Sequence, residues 1–420
     1  MQTPQGSMLP DTTPVTGILA PTLGTPQLEH SFVMIGAQIG STAESGGVVN
    51  SSWYSNQYFA GTLSLVKYWR SGITSINYSG GGYASINNQQ GNGSYQTFSF
   101  SQTAHAGRWD FSFVDVPQYL PESRFGFGGG TSLGNPGTGG PLPIPVPGIN
   151  GGPGQDIYSA VGARFSNTAA AQVNYVLSQR DSVTFTGSYG LLRFMDSSNF
   201  DNDTFSGGMG YNRQVTKMDS LGLFYSFGAF HFSGSPQAYG SHSVGLSYGR
   251  KITGKLALQL SAGPQINTYR IPVGTSSSSV SAYATANLSY ALQDASLNVT
   301  YRHGLSNGGG VLVGSQMDTV TAAAGRRLGR VWNGFASFGY SRNASVGDLP
   351  GSSNQTYNDW FLNVGASRPF GRNINFSAAY SVNFENAQQP GCSTGSCNTD
   401  FTQHIITLSL QWHTRPFVLH

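Results

Sequence analysis

The chain has 420 residues, a formal net charge of +3 and a pI near 8.7; only 9% of its residues are charged, against roughly 25% in ordinary soluble domains. A hydrophobic share of 38% is too low for a helical membrane protein, and no run approaches the roughly 18 apolar residues a membrane helix needs. The longest helix-like stretch, Val320 to Leu328, is short and carries two arginines. With no basic block or stripe, nucleic acid is excluded as a partner.

The missing charge is replaced by Ser, Thr, Asn, Gln, 57 glycines and a 12% aromatic share. That mixture suits strands with one apolar face and one uncharged polar face. The chain opens Met1-Gln2-Thr3-Pro4 with no basic start, apolar core and small-residue cleavage site, so a secretory leader is either already removed or outside this sequence. Residues 1–29, rich in Pro and Thr without periodicity, read as a disordered arm on the periplasmic side.

From Ser31 onward, segments of about ten residues alternate apolar with polar, a length able to cross a bilayer at a tilt. In Val183-Thr184-Phe185-Thr186-Gly187-Ser188-Tyr189 the odd positions fit a lipid face and the even hydroxyls a lumen. Trp109, Phe111 and Phe113 alternate with Asp110 and Ser112, and Leu297, Val299 and Tyr301 alternate with Asn298, Thr300 and Arg302. The breaks alternate in length, short ones such as Ala106 to Arg108 and Phe370 to Arg372 with long ones such as Asn343 to Tyr357 and Glu385 to Asp400. Short periplasmic turns and longer external loops alternate in this way in outer-membrane barrels. From Ser31–Gly40 to Thr402–Trp412 the pattern predicts an all-β transmembrane antiparallel barrel occupying 30–420, of about eighteen strands, with sixteen as the alternative.

Twelve cations, among them Arg70, Arg108, Lys217, Arg250, Arg330 and Arg372, fall in or beside the short turns, where they meet phospholipid headgroups or water alone. Tyr58, Trp69, Trp332, Trp360 and Trp412 fit interfacial girdles. The last strand ends on Trp412, but His413 to His420 follow, so either the tail is periplasmic or Phe417 is the recognised end.

One break, 117–154, is much longer than the rest and ends in Pro141-Leu142-Pro143-Ile144-Pro145-Val146-Pro147. It either folds into the lumen as a constriction, with Glu122 and Arg124 lining the narrowing, or remains an external loop. Cys392 and Cys397, flanking Ser393-Thr394-Gly395-Ser396, are placed for a loop disulfide. The acidic loop Asp196 to Asp203 offers carboxylates to a divalent cation or simply to water. No ligand set indicates a resident metal, and no phosphate loop indicates a cofactor.

The segment Leu120 to Phe127, Ser166-Asn167-Thr168 and the hairpin through Tyr189-Gly190-Leu191-Leu192-Arg193-Phe194 resemble the outer-membrane β-barrel porins found in bacteria beside polysaccharide-export genes. The resemblance implies a barrel in the bacterial outer membrane, with outer-membrane lipid and either polysaccharide or its export machinery as partners, and no catalytic residues. Tyr301-Arg302-His303-Gly304-Leu305-Ser306-Asn307 is similar to the His-x-Ser-Asn motif of outer-membrane lipid A deacylases, but His303 and Ser306 are three apart and fall on opposite faces of a strand. The expectation is therefore a non-enzymatic porin passing small hydrophilic solutes, passively or gated, with a non-conducting or export-associated barrel as the alternative. A soluble β-sandwich or adhesin is the remaining alternative, and the charge deficit argues against it.

Overall fold

The structure is a computed structural model; it describes residues 31–45, 53–86, 92–120, 163–195, 201–233, 238–270, 276–292, 294–306, 312, 314–346, 355–388 and 400–419. The strands are β1 (Phe32–Ser45), β2 (Tyr54–Trp69), β3 (Gly72–Ser85), β4 (Gly93–Ala106), β5 (Trp109–Asp115), β6 (Gln118–Leu120), β7 (Arg164–Val176), β8 (Asp181–Phe194), β9 (Asn202–Gln214) and β10 (Asp219–Phe232). The chain continues through β11 (Ala238–Lys251), β12 (Leu256–Arg270), β13 (Ser276–Ala291), β14 (Ala295–Ser306), β15 (Ser315–Leu328), β16 (Trp332–Ser345), β17 (Thr356–Phe370), β18 (Ile374–Gln388), β19 (Asp400–His413) and β20 (Phe417–Val418).

Two of these are pieces of longer strands. Both β5 and β6 pair with β4 on one side and β7 on the other. The break falls at Val116-Pro117, where proline has no N–H to give the ladder. Likewise β19 and β20 both pair with β1, so Phe417 and Val418 extend the closing seam beside Phe32 and Val33. Eighteen strands result, each antiparallel to its neighbours, and β1 closes the ring by pairing with β2 and β19. Closure removes every sheet edge, which is how so long an antiparallel meander avoids pairing with other chains.

Connections of a few residues gather at one end of the barrel, the turn end, together with the start of β1 and the end of β19. Gly107 opens the two-residue turn between β4 and β5 at a φ of 64°, a conformation that favours glycine. The longer breaks lie at the opposite, loop end.

Strand alternation sorts side chains onto two surfaces. In β8, Phe185 and Tyr189 are 47% and 45% exposed on the outer face, while Thr184 and Ser188 are about one-twentieth exposed on the inner one. Trp109, Phe111 and Phe113 are exposed outward, as are Leu297 and Tyr301, and Arg302 turns inward and is buried. The outer face thus carries a continuous exposed apolar band, far more than a water-soluble surface tolerates. Val320 to Leu328 is strand, part of β15.

Several boundaries and faces differ from the expectation. β1 runs on to Ser45, and pairing continues to Tyr119 with β4 and to Leu120 with β7, four residues into the stretch read as loop. Trp69, Trp360 and Trp412 are exposed near strand ends as expected, but Tyr58 is 3% exposed on the inner face, because its even position in β2 points to the lumen. Residues 1–29 lie outside the described residues.

Candidate functional site: the barrel lumen

The inner face is built from the polar half of the alternation, and hydroxyls and amides dominate it. They satisfy one another across strands: Thr184 Oγ1 donates to Asn174 Oδ1 (3.0 Å), Asn267 Nδ2 donates to Ser281 Oγ (2.9 Å), and the hydroxyls of Ser188 and Ser206 lie 2.6 Å apart. Ser306 and Ser315 share a hydrogen bond of 2.8 Å, and Ser315 Oγ donates to Asn343 Oδ1 at 3.2 Å. Such a wall offers hydrogen bonds to water and hydrophilic solutes without trapping either sign of charge.

Charge on this wall is sparse and uneven. Away from the turn-end mouth the described inner face carries the carboxylates of Glu44, Asp359 and Glu385 and the guanidiniums of Arg164 and Arg302, while at that mouth Asp110, with His105 beside it, shares inward parity with Lys251 and Arg327. Asp359 and Glu385 stand directly opposite each other on β17 and β18. Glu44 lies two strands further round, on β1. These three make an acidic sector in the loop-end half, and Arg164 on β7 lies well away from it around the ring. Glu44 is held by four donors: Tyr54 Oη to Oε2 (2.7 Å), Gln403 Nε2 to Oε2 (3.1 Å), Thr42 Oγ1 to Oε1 (3.2 Å) and Asn56 Nδ2 to Oε1 (3.3 Å). A buried carboxylate needs this many partners to stay in place.

Burial is graded along the axis. Inner side chains in the loop-end halves of β1, β2, β7, β9 and β10 are buried, whereas those toward the turn end of β2 and β9 are half-open. An aromatic cluster joins Phe230, Phe232, Tyr239 and Tyr269 at the loop end, with edge-on contacts of 5.8 Å between Phe232 and Tyr239 and 5.2 Å between Tyr239 and Tyr269.

Of the residues singled out from the sequence, Glu122 and Arg124 lie outside the described residues, as do Cys392 and Cys397. Of the acidic stretch, Asp196 lies outside the described residues; Asp203 forms a two-pronged pair with Arg193 (2.9 Å each) on the outer face, and Asp201 Oδ1 accepts the Phe194 N–H at 2.7 Å. Among the described residues no three metal-ligating side chains come together. His303 points outward, its Nδ1 2.7 Å from Asp318 Oδ1 and its Nε2 3.0 Å from the Gln316 amide, whereas Ser306 is buried beside Ser315. The register through β14 and β15 has no bulge, so imidazole and hydroxyl do not meet and no hydrolytic pair forms.

The wall charges Glu44, Arg164, Asp359 and Glu385 were missed by sequence reasoning. Their signal is parity: each shares it with the buried polar positions of its own strand, as Glu44 does with Gln38 and Thr42.

The fold and its inner wall define the class: a closed eighteen-strand antiparallel barrel with an apolar exterior and a polar conduit. No protein-family model matches the chain, and no curated protein matches it in sequence. Among solved structures it is similar to the outer membrane protein OpdK of Pseudomonas aeruginosa, at 10% identity and a TM-score of 0.45, over 91% of this chain and 99% of that one. It is also similar to Pseudomonas aeruginosa OccK2 (OpdF), solved in complex with glucuronate, at 9% identity and a TM-score of 0.46 over 92% and 98% of the two chains. Acinetobacter baumannii OccAB3 matches at 8% identity and a TM-score of 0.43 over 92% and 99%.

Proposed function

We propose that the protein is an outer-membrane channel through which small hydrophilic solutes diffuse, without chemistry on the solute. The observation that carries this is the sorting of the alternation around a closed ring of eighteen strands, apolar outward and hydroxyl or amide inward. The exterior matches a bilayer, and barrels of this strand number enclose an aqueous lumen. The short turns then face the periplasm and the long loops the exterior.

The test is single-channel recording of refolded protein in a planar bilayer. Discrete conductance steps are the expected result, and silence in both the full chain and a variant lacking residues 121–162 overturns the channel. A narrower reading makes the barrel part of polysaccharide export. It rests on the family resemblance and on the burial of inward side chains in the loop-end halves of β7 and β9. Loss of surface polysaccharide on deleting the chain from its host supports it, and an unchanged surface removes it.

A further inference from the structure

The outward face carries one charge in the wrong place. On that face, among the described residues, every other carboxylate, guanidinium and ammonium lies within the first or last four residues of its strand, as do Arg193, Asp203, Asp219, Asp318 and Arg342. Asp115 does not. It shares outward parity with Trp109, Phe111 and Phe113, while Val114 beside it is buried inward. It stands six residues beyond Trp109 at the turn end, which at about 3.3 Å per residue on a strand tilted by roughly 40° is about 15 Å up, inside an apolar band about 25 Å tall. Its Oδ1 is buried without a hydrogen-bond partner, and so is Oδ1 of Asn167, which also faces outward on the adjoining β7. An ionisable side chain at such a depth marks a protein contact rather than lipid.

The face around it supplies a matching donor. Asp115 on β5 is opposite Phe100 on β4, and Tyr78 on β3 is opposite Phe98 on the other side of the same strand. Tyr78 is six residues beyond Gly72 at the turn end, as Asp115 is beyond Trp109, so donor and carboxylate flank β4 at one depth. A two-fold axis normal to the membrane and passing through β4 exchanges β3 with β5 and preserves depth. We infer that the protein pairs with a second copy of itself about this axis, with Phe98 and Phe100 packed against their own counterparts and each Tyr78 hydroxyl donating to Asp115 of the second copy. In the single chain that hydroxyl donates to the Gln96 carbonyl. Turned to the carboxylate, its oxygen is left to accept from the Gln96 amide.

The experiment places a photo-reactive benzophenone amino acid at Phe100 in the full chain in lipid vesicles, with the same group at Leu362, outward and exposed on β17, as the control. The expected result is covalent dimer at least tenfold more abundant from Phe100 than from Leu362, falling at least tenfold in Asp115→Leu and less in Asp115→Asn. Heat-modifiable migration reports folding of each variant, and if the leucine variant does not fold, Tyr78→Phe decides, since it removes the donor and leaves Asp115 in place. Equal yields at the two positions, or a Phe100 yield unmoved by these substitutions, overturn the inference. Conductance measured on the same vesicles reports the channel reading separately.

Discussion

Glu44 shows what a single inward residue does in this wall. Its carboxylate accepts from Tyr54, Gln403, Thr42 and Asn56, drawing β1, β2 and β19 together at the seam where the barrel closes. Replacing it with leucine removes the acceptor these donors share, and losing the partner of a buried group costs about 1–3 kcal/mol, more where the lost partner is charged. Glu44→Leu is therefore expected to lose about 3 kcal/mol in urea unfolding from lipid vesicles, and Glu44→Gln, which keeps one carbonyl acceptor, about 1 kcal/mol. Equal stability of the two variants would show that the cluster does not hold the seam. Parity alone made this residue readable in the sequence. Its network was not, because Gln403 lies 359 positions away and reaches Glu44 only once the ring closes.

Hairpin turns at the turn end repeat one device. Ser178 Oγ donates to Asp181 Oδ2 and accepts the Arg180 N–H, while Tyr211 on the next strand donates to Asp181 Oδ1. Thr216, Asp219 and Tyr248 repeat the arrangement one hairpin later, with Thr216 Oγ1 accepting from the Met218 and Asp219 N–H groups. A local turn that closes its own hydrogen bonds fixes register before the strands must find each other. Thr216→Val keeps the branched shape and removes those bonds, so it is expected to cost about 1 kcal/mol in the same unfolding measurement. Gly371, at a φ of 69° in the turn between β17 and β18, tests the backbone instead: Gly371→Ala is expected to cost about 1 kcal/mol, with Gly61→Ala, on an open outer strand position, as the near-neutral control. Strand positions and short turns were legible because alternation and turn residues are local signals. The end of β6 was not, since Pro117 reads as a loop start and only pairing with β4 to Tyr119 and with β7 to Leu120 carries the strand on. Tyr58 was misplaced for a related reason: an aromatic near a strand end fits a girdle or a lumen equally well until its parity is fixed.

Across the whole molecule the inner wall sets ion preference. Away from the turn-end mouth three described carboxylates stand against two guanidiniums, with Glu44, Asp359 and Glu385 gathered in one sector of the loop-end half and Arg164 and Arg302 elsewhere on the ring, so that sector is acidic. Fixed charges lining a lumen favour counter-ions, so the channel is expected to pass potassium in preference to chloride. A potassium chloride gradient across a planar bilayer reads this as the sign of the reversal potential. The double variant Asp359→Asn with Glu385→Gln should move that potential toward the chloride side, and Arg302→Gln should move it the other way. Screening adds an independent check. Raising the salt from 0.1 M to 1 M shortens the Debye length from about 10 Å to about 3 Å, less than the span of a water-filled lumen, so a preference set by these wall charges must weaken in that range. A preference of opposite sign, or one indifferent to salt, would place the selecting charges somewhere other than this wall.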